Sequence, residues 1–212
     1  MIGVKFDNFH SYYDFSLILS SKKIGVPQPK TELLEIPGAD ETLDFTEFFG
    51  DVKFDNRKLE FEFTTLVPQS EFMQLFSIIQ NALNGKRMKI VLDEDPDFYY
   101  SGRISVKEWL ADKSIGKITI ECDCNPYKLK LKKTVITNAV STEKTVTLPN
   151  LRKHVVPLFK SNAEITIEHN ENSYSMSAGE SKIPSIVLKE GENTLKLKGN
   201  GTVTIEYQEG GL

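Results

Sequence analysis

The chain has 212 residues, of which 26 are Lys or Arg and 30 are Asp or Glu, so its net charge is −4; 39% of its residues are hydrophobic. This composition is that of a folded protein and excludes collagen-like and disordered chains. It also argues against a nucleic acid held through its phosphates, because neutralising phosphates needs an excess of Lys and Arg. The length allows one large domain or two small ones.

The sequence predicts neither a secretory signal nor a membrane span. The opening Met1–Asp7 lacks a basic start followed by an apolar stretch. The longest apolar stretches fall well short of the roughly 20 residues that cross a bilayer. Cys122 and Cys124 stand two positions apart in a strand-like run, which puts both side chains on one face and disfavours a disulfide between them. We expect two free, buried thiols.

The first part of the chain is predicted to form β-strands separated by turns. Leu59–Phe63 alternates apolar and acidic residues, which is typical of a strand with one face in the core and one in water. The predicted strands are Ile2–Phe6, Phe15–Leu19, Leu33–Ile36, Leu43–Thr46 and Leu59–Leu66.

Residues 22–54 combine Pro and Gly, which interrupt regular elements, with an unusually apolar set of side chains. A long loop this apolar needs a surface to cover it. We predict that residues 22–54 dock on an adjacent subunit. The candidate interface residues are Leu33, Ile36, Phe45, Phe48 and Phe49.

One helix is predicted at Gln69–Leu83, where apolar residues recur at helical spacing and Asn84-Gly85 supplies a stop. We expect it to lie against a sheet. The strands that follow are predicted at Met88–Leu92, Tyr99–Trp109 and Ile115–Cys124, with joins at Asp93–Asp97 and Asp112–Lys113. Tight joins between successive strands indicate an antiparallel sheet.

We place a domain boundary near residue 138, giving domains at residues 1–137 and 138–212. The second domain is predicted to be a small β-sandwich of short strands. Turns at Glu190–Asn193 and Gly199–Gly201 would let the strands around them pair as a hairpin. The predicted strands are Lys144–Leu148, Ala163–Glu168, Asn172–Met176, Lys182–Leu188, Asn193–Lys198 and Thr202–Tyr207.

No catalytic, cofactor-binding or metal site is predicted. The three histidines are scattered, with no recognisable hydrolase motif. Asp93–Asp97 lacks the glycine and closing glutamate of a calcium loop, which favours a solvated hairpin tip over cation binding. Cys-x-Cys supplies two of the four ligands that a structural zinc needs. For Trp109, two interpretations stay open: it packs in the core or against a subunit, or it stacks on a sugar. For the Lys128–Lys133 run, the alternatives are a solvated strand face and a functional cationic surface.

Several short motifs follow one another over essentially the entire chain. They are Tyr13-Asp14-Phe15-Ser16-Leu17, Ile36-Pro37-Gly38, Phe98-Tyr99-Tyr100-x-Gly102-Arg103, Cys124-Asn125-Pro126-Tyr127-Lys128, Leu188-x-Glu190-Gly191-x-Asn193 and Gly199-x-Gly201-x-Val203. In their order and spacing, these motifs resemble the distal tail proteins of siphophages that infect Gram-positive bacteria. Ala39-Asp40-Glu41 departs from the family's more usual pattern of a charged residue, Asp and Gly.

The resemblance implies a mainly β fold, with an N-terminal β-sandwich carrying one packed helix and a C-terminal galectin-like β-sandwich. It implies a structural protein of the virion, not an enzyme, that forms a hexameric ring at the phage tail tip. Such a ring joins the tail tube protein to the baseplate hub or tail fibre, carries receptor-binding proteins in some phages, and leaves a channel for DNA without binding it specifically. The isolated protein could nonetheless be monomeric, because ordering the docking segment offsets much of the burial gain.

The alternative function is a carbohydrate-binding module that recognises cell-wall saccharides through the second domain. Tyr174 and Tyr207 are the candidate saccharide contacts, since they are the only tyrosines after residue 138. A galectin-like architecture permits sugar binding but does not imply it.

Overall fold

The computed structural model describes residues 2–48, 50–65, 67–112 and 115–212. The chain is mainly β, as predicted, and divides into two compact units, Met1–Pro126 and Tyr127–Leu212. The sequence placed the boundary after residue 137. That position lies inside a strand, Thr134–Asn150, all of which belongs to the second unit.

The first unit consists of strands and one α-helix among its described residues. The strands are β1 Val4–Phe6, β2 Phe9–His10, β3 Leu17–Ile24, β4 Leu33–Leu34, β5 Leu43–Asp44, β6 Arg57–Thr65, β7 Arg87–Leu92, β8 Asp95–Asp112 and β9 Ile115–Cys124, and the helix is α1 Phe72–Leu83. The main sheet has the antiparallel order β2-β1-β7-β8-β9-β6-β3, and β4 pairs separately with β5.

The main sheet of the first unit is rolled around a single core. Phe6 on β1 and Phe61 on β6 meet edge to face with ring centroids 6.1 Å apart, although β7, β8 and β9 separate their strands. An ion pair between Lys22 on β3 and Glu94, in the turn after β7, also joins elements far apart in the strand order. The alternation predicted at Leu59–Phe63 is confirmed, since burial alternates along the whole of β6.

The helix α1 lies against β8 through aromatic contacts. Phe76 stacks on Trp109 with centroids 5.1 Å apart, and Phe72 meets the same indole edge to face at 5.6 Å. Trp109 is therefore a packing residue of the core, which is the first of the two interpretations that the sequence left open. The predicted helix is confirmed, except that its first residues, Gln69–Glu71, form a 3-10 turn. It stops where predicted, at Asn84, followed by Gly85 with φ +76°.

The second unit is a β-sandwich built on two long paired strands. Its strands are β10 Lys128–Lys130, β11 Thr134–Asn150, β12 Leu158–Ser161, β13 Ile165–His169, β14 Asn172–Met176, β15 Gly179–Lys182, β16 Gly191–Tyr207 and β17 Gly210–Gly211. β11 pairs with β16 along its full length. On the other edge of β16, β13 pairs with the first half and β12 with the second.

The hairpin predicted around Gly199–Gly201 is wrong, because both predicted strands belong to the continuous β16. Gly199 adopts φ +140° opposite Thr142, which has φ +87°, so the paired strands bend there instead of ending. Burial supports this bend: residues 141–145 of β11 are all exposed, whereas both halves of β16 contribute to one core.

The strand predicted at Lys182–Leu188 is also wrong beyond its first residue. β15 ends at Lys182, and the N–H of Ile186 donates to the carbonyl of Ile183 to close a turn around Pro184. Leu188 makes only an isolated bridge to Val155. Proline cannot donate to a sheet ladder, so the run could not continue as a paired strand. Strand β12 was not predicted.

Candidate subunit interface

The connection between β3 and β6, residues 25–56, forms a hairpin-like arm, and we call it the arm. Its base is fixed by main-chain hydrogen bonds. The N–H of Gly25 donates to the carbonyl of Lys58 at 2.8 Å, and the N–H of Asp55 donates to the carbonyl of Gln28 at 2.9 Å. The N–H of Lys30 donates to the main-chain carbonyl of Lys53 at 2.8 Å. The arm therefore continues the β3–β6 hairpin.

The ladder continues farther along the arm. The N–H of Phe45 donates to the carbonyl of Glu32 at 2.8 Å, and the N–H of Glu32 donates to the hydroxyl of Thr46 at 3.0 Å. Beyond them β4 pairs with β5. The sequence predicted strands at Leu33–Ile36 and Leu43–Thr46 inside a long loop interrupted by Pro and Gly; both strands are present, each only two residues long. The arm thus pairs parts of its own backbone, while most of its apolar side chains stay exposed.

The predicted interface residues are mostly exposed. Leu33, Ile36 and Phe48 are 59%, 43% and 71% exposed. Phe45 is half-buried and its ring meets that of Phe48 edge to face at 5.7 Å. Phe49 lies outside the described residues. The arm also exposes three apolar residues that were not among the candidate interface residues, which are Val26, Leu34 and Leu43.

The arm is strongly acidic. Between residues 31 and 52 the sequence has seven Asp or Glu and no Lys or Arg. The first unit has 14 basic and 21 acidic residues in all, so without this stretch it has 14 of each. Hydrogen bonds from the side chain and main chain of Thr46 lower the pKa of Asp44, which keeps that carboxylate ionised. The arm presents carboxylates among exposed apolar side chains.

One of the two candidate saccharide contacts is buried. Tyr207 is 3% exposed, and its hydroxyl donates to the main-chain carbonyl of Pro149 at 2.6 Å. Burial, with a smaller contribution from Glu209, raises the pKa of Tyr207 to about 12. Tyr207 therefore offers no ring face to a sugar. Tyr174 is half-buried on β14 and packs against the core of the second unit.

A polar cavity of about 530 Å³ opens on the second unit beside the β13–β14 turn. The residues that line it are all of polar or charged types, and include Glu168, His169, Asn170, Glu171 and Lys196. Asn170 and Glu171 both have positive φ, at 47° and 65°, as a two-residue type I′ hairpin turn requires. Sequence reasoning missed this cavity, because its residues come together only when β13 pairs with β16.

The acidic hairpin tip predicted at Asp93–Asp97 is tied into the fold. Leu92 pairs with Asp95, so the turn consists of Asp93 and Glu94. The Asp93 carboxylate accepts the N–H of Gly3 at 2.8 Å and lies 3.1 Å from Nε2 of His10. Among the described residues, no group of three or more His, Cys, Asp or Glu could hold a metal ion.

Both cysteines are buried and free, as predicted. Burial, with smaller contributions from Cys124 and Glu121, raises the pKa of the Cys122 thiol. Burial and then Asp123 raise the pKa of Cys124 to about 12.

In the part of the chain that the structure describes, no helix is long and apolar enough to cross a membrane.

No protein-family model matches the chain. A search of curated proteins likewise found no match. Among solved structures, the chain is similar to the Dit protein (gp 19.1) of phage SPP1, described as a paradigm of the hub adsorption apparatus in phages that infect Gram-positive bacteria. The TM-score is 0.71 at 14% identity, and the match covers 98% of this chain and 99% of that one. Over nearly its whole length, this chain has the fold of a phage hub protein, which confirms the fold expected from its sequence motifs.

Proposed function

We propose that this protein is a structural, non-catalytic component of a phage tail tip, located in the virion. Copies of it would form a closed ring, hexameric by the resemblance, between the tail tube and the baseplate hub, fibre or receptor-binding proteins. DNA would pass through the lumen without specific contacts. The fold shared with the hub protein of phage SPP1 supports the tail-tip role.

The observation that carries the ring is the exposed arm. Hydrogen bonds within the arm leave the side chains of Leu33, Ile36 and Phe48 exposed to water. Burying each of them at an interface would contribute about 1.5–3 kcal/mol to the free energy of association. Exposed apolar clusters of this kind mark surfaces that other proteins cover. A copy whose arm docks on the next copy can repeat the contact until the ring closes.

The arm can be removed without disturbing the sheet. Gln28 and Asp55 are joined by a main-chain hydrogen bond, so an Asn-Gly turn can replace residues 29–54 and close a two-residue hairpin at that point. Lys22–Ile24 must stay, because they pair with β6. We expect the shortened chain to fold, to remain monomeric, and to be absent from tails assembled in tail extract. Tail incorporation equal to that of the intact chain would refute the proposal.

A substitution pair provides a matched control for loss of apolar surface. Leu33→Ser with Phe48→Ser removes two exposed apolar side chains of the arm, whereas Met73→Ser with Ile78→Ser removes two from α1. We expect the arm variant alone to lose ring assembly, measured by electron microscopy of annular particles and by mass in solution.

Saccharide binding by the second unit is the second candidate function, and the polar cavity is the observation that favours it. Glu168, His169 and Asn170 are side chains suited to hydrogen bonding sugar hydroxyls. Tyr174 is the remaining aromatic candidate. Titration of the full chain with cell-wall polysaccharides, with Tyr174→Ala and Asn170→Ala as variants, tests this function. Absence of binding across wall polymers would exclude it.

A further inference from the structure

We propose that the acidic arm of one copy docks on a basic groove in the first unit of the next copy. The inference rests on the proposed ring and names the surface that receives the arm. The groove has a volume of about 440 Å³ and lies across β6, β7, β8 and β9. Its charged lining residues are Lys58, Arg87, Arg103, Lys107, Glu121 and Asp123.

The groove carries cations that its own chain leaves largely uncompensated. Lys107 has a partner, since its Nζ lies 3.4 Å from Glu121. Asp123 pairs in register with both Lys58 and Arg103. Even so, within the described ranges no carboxylate lies within ion-pair distance, 4.0 Å, of Lys58, Arg87 or Arg103. The groove is therefore prepared for carboxylates from outside.

Hydrogen bonds hold the two guanidinium groups at the groove. Nη1 of Arg103 donates to the carbonyl of Gly85 at 2.6 Å, and Nη2 of Arg87 donates to the side-chain oxygen of Asn125 at 2.7 Å. Each of these bonds occupies one of the five N–H donors that a guanidinium carries. A carboxylate can be bound by two parallel donors of the same group, which is the geometry that favours Arg at acidic interfaces.

Six acidic side chains of the arm could supply these carboxylates. Among the described residues, no Lys or Arg lies within ion-pair distance of Glu32, Glu35, Asp40, Glu41, Asp44 or Glu47. These side chains stand among the exposed apolar residues of the arm. Paired opposite charges at an interface select the right partner and fix its register, while the apolar side chains supply burial. The negative charge of the arm is thus complementary to the positive charge of the groove.

The arm and the groove are two different surfaces of each copy, as a head-to-tail ring needs. Each arm begins at the rim of its own groove, because the Lys58 that lines the groove accepts the hydrogen bond from Gly25 at the arm's base. The exposure of residues 30–44 shows that the arm does not lie in that groove. An arm arriving from another copy makes a head-to-tail contact between two different surfaces, which repeats from copy to copy and forms a ring when the rotation between copies closes.

The lysines of the second unit are a poorer match for the arm because many already have carboxylate partners. Lys130 lies 2.5 Å from Glu209, Lys160 lies 3.0 Å from Glu206, and Lys198 lies 2.6 Å from Glu168. Docking the arm there would require these pairs to exchange partners. Docking in the groove of the first unit adds ion pairs to Lys58, Arg87 and Arg103 without breaking existing ones.

A charge exchange in the full-length protein tests the inference. The groove variant is Lys58→Glu with Arg103→Glu, and the arm variant is Glu35→Lys with Asp40→Lys. A third chain carries both pairs of changes. The matched control is Lys5→Glu with Lys117→Glu, which makes the same charge change at two exposed lysines elsewhere in the first unit. Circular dichroism checks that each variant folds.

Ring assembly is measured by sedimentation over a protein concentration series, and tail incorporation is measured in tail extract. We expect the groove and arm variants each to need at least about tenfold more protein for half-assembly, because like charges then face each other. The chain with both reversals should recover to within about threefold of the unmodified protein, as should the control.

The outcomes separate the inference from the proposed function. Assembly that fails in the arm variant but persists in the groove variant would overturn the inference, since the arm then docks elsewhere, and would leave the ring intact. Failure of the doubly reversed chain to recover, with its fold preserved, would also overturn it. Absence of rings and of tail incorporation for the unmodified protein would refute the proposed function itself.

Discussion

Gly199 on β16 lies directly opposite Ile165 on β13, so closely that a Cβ atom on Gly199 would stand 2.7 Å from Cδ1 of Ile165. The same Cβ would lie 2.9 Å from the carbonyl oxygen of Glu164. At this point the long β11–β16 pair bends, and the halves on either side of it share one core. The bend thus depends on a residue without a side chain.

We predict that Gly199→Ala destabilises the second unit by about 2–4 kcal/mol, since it adds both a clash and a strained φ. Gly179→Ala is the matched control. Gly179 also has positive φ, at +128°, but an added Cβ meets nothing within 4 Å, so we expect about 1 kcal/mol. Chemical denaturation measures both free energies of unfolding. Equal losses would show that the approach to Ile165 contributes nothing.

The same glycine shows where sequence reasoning failed. Gly-Asn-Gly is a strong local turn signal, and it predicted a hairpin at Gly199–Gly201. The structure uses the glycine for a close approach to Ile165 and continues the strand. Pattern alone could not distinguish the two, because the reason for the glycine lies on β13, more than thirty positions away in the sequence.

Strong local patterns were predicted well. The alternation of Leu59, Phe61 and Phe63 gave the strand and its buried face, and the helical spacing before Asn84 gave α1 and its end. For the arm, the sequence indicated apolar residues that need a surface to cover them, and Leu33, Ile36 and Phe48 are exposed. It could not show the receiving groove, because Lys58, Arg87 and Arg103 come together only when β6, β7 and β8 take their places around β9.

The Asp93 carboxylate should matter for the stability of the first unit. It accepts the main-chain N–H of Gly3 and the imidazole N–H of His10, joining the start of the chain to the β7–β8 turn. We predict that Asp93→Ala lowers the free energy of unfolding by about 1–3 kcal/mol, because it leaves these donors without their acceptor. Asp93→Asn should cost less, since an amide oxygen can still accept from Gly3.

Asp97, an exposed acid near the start of β8, provides the comparison for Asp93. Asp97→Ala removes the same charge and leaves the acceptor of Gly3 and His10 in place. Thermal unfolding of the three variants gives the ranking. A loss for Asp97→Ala as large as that for Asp93→Ala would contradict the role assigned to the Asp93 carboxylate.

The two cysteines should resist thiol reagents in the native protein. Only the thiolate reacts, and a thiol whose pKa is about 12, as for Cys124, is ionised in roughly one molecule in ten thousand near pH 8. Both side chains are also fully buried. We expect a disulfide reagent to label neither residue at pH 8 until denaturant unfolds the chain. Fast labelling without unfolding would contradict this packing.

Ionisation of Tyr207 should make the free energy of unfolding depend on pH in the alkaline range. Its folded pKa of about 12 exceeds the value near 10 of an unfolded tyrosine, so the folded state holds the phenolic proton more tightly. The stability from this difference is fully present below pH 10. It is lost as the pH rises from 10 through about 12, because the unfolded chain releases its proton first.

Tyr207→Phe should therefore change both stability and its pH dependence. The substitution removes the hydrogen bond to the Pro149 carbonyl and leaves that oxygen without the hydroxyl, which we expect to cost about 1–2 kcal/mol at neutral pH. The fall in the free energy of unfolding above pH 10 should also become shallower than in the unmodified protein. Tyr174→Phe, at a half-buried position on β14, is the control and should alter neither. An unchanged slope in Tyr207→Phe would mean that another group, such as the buried Tyr99, whose pKa burial also raises, causes the alkaline loss.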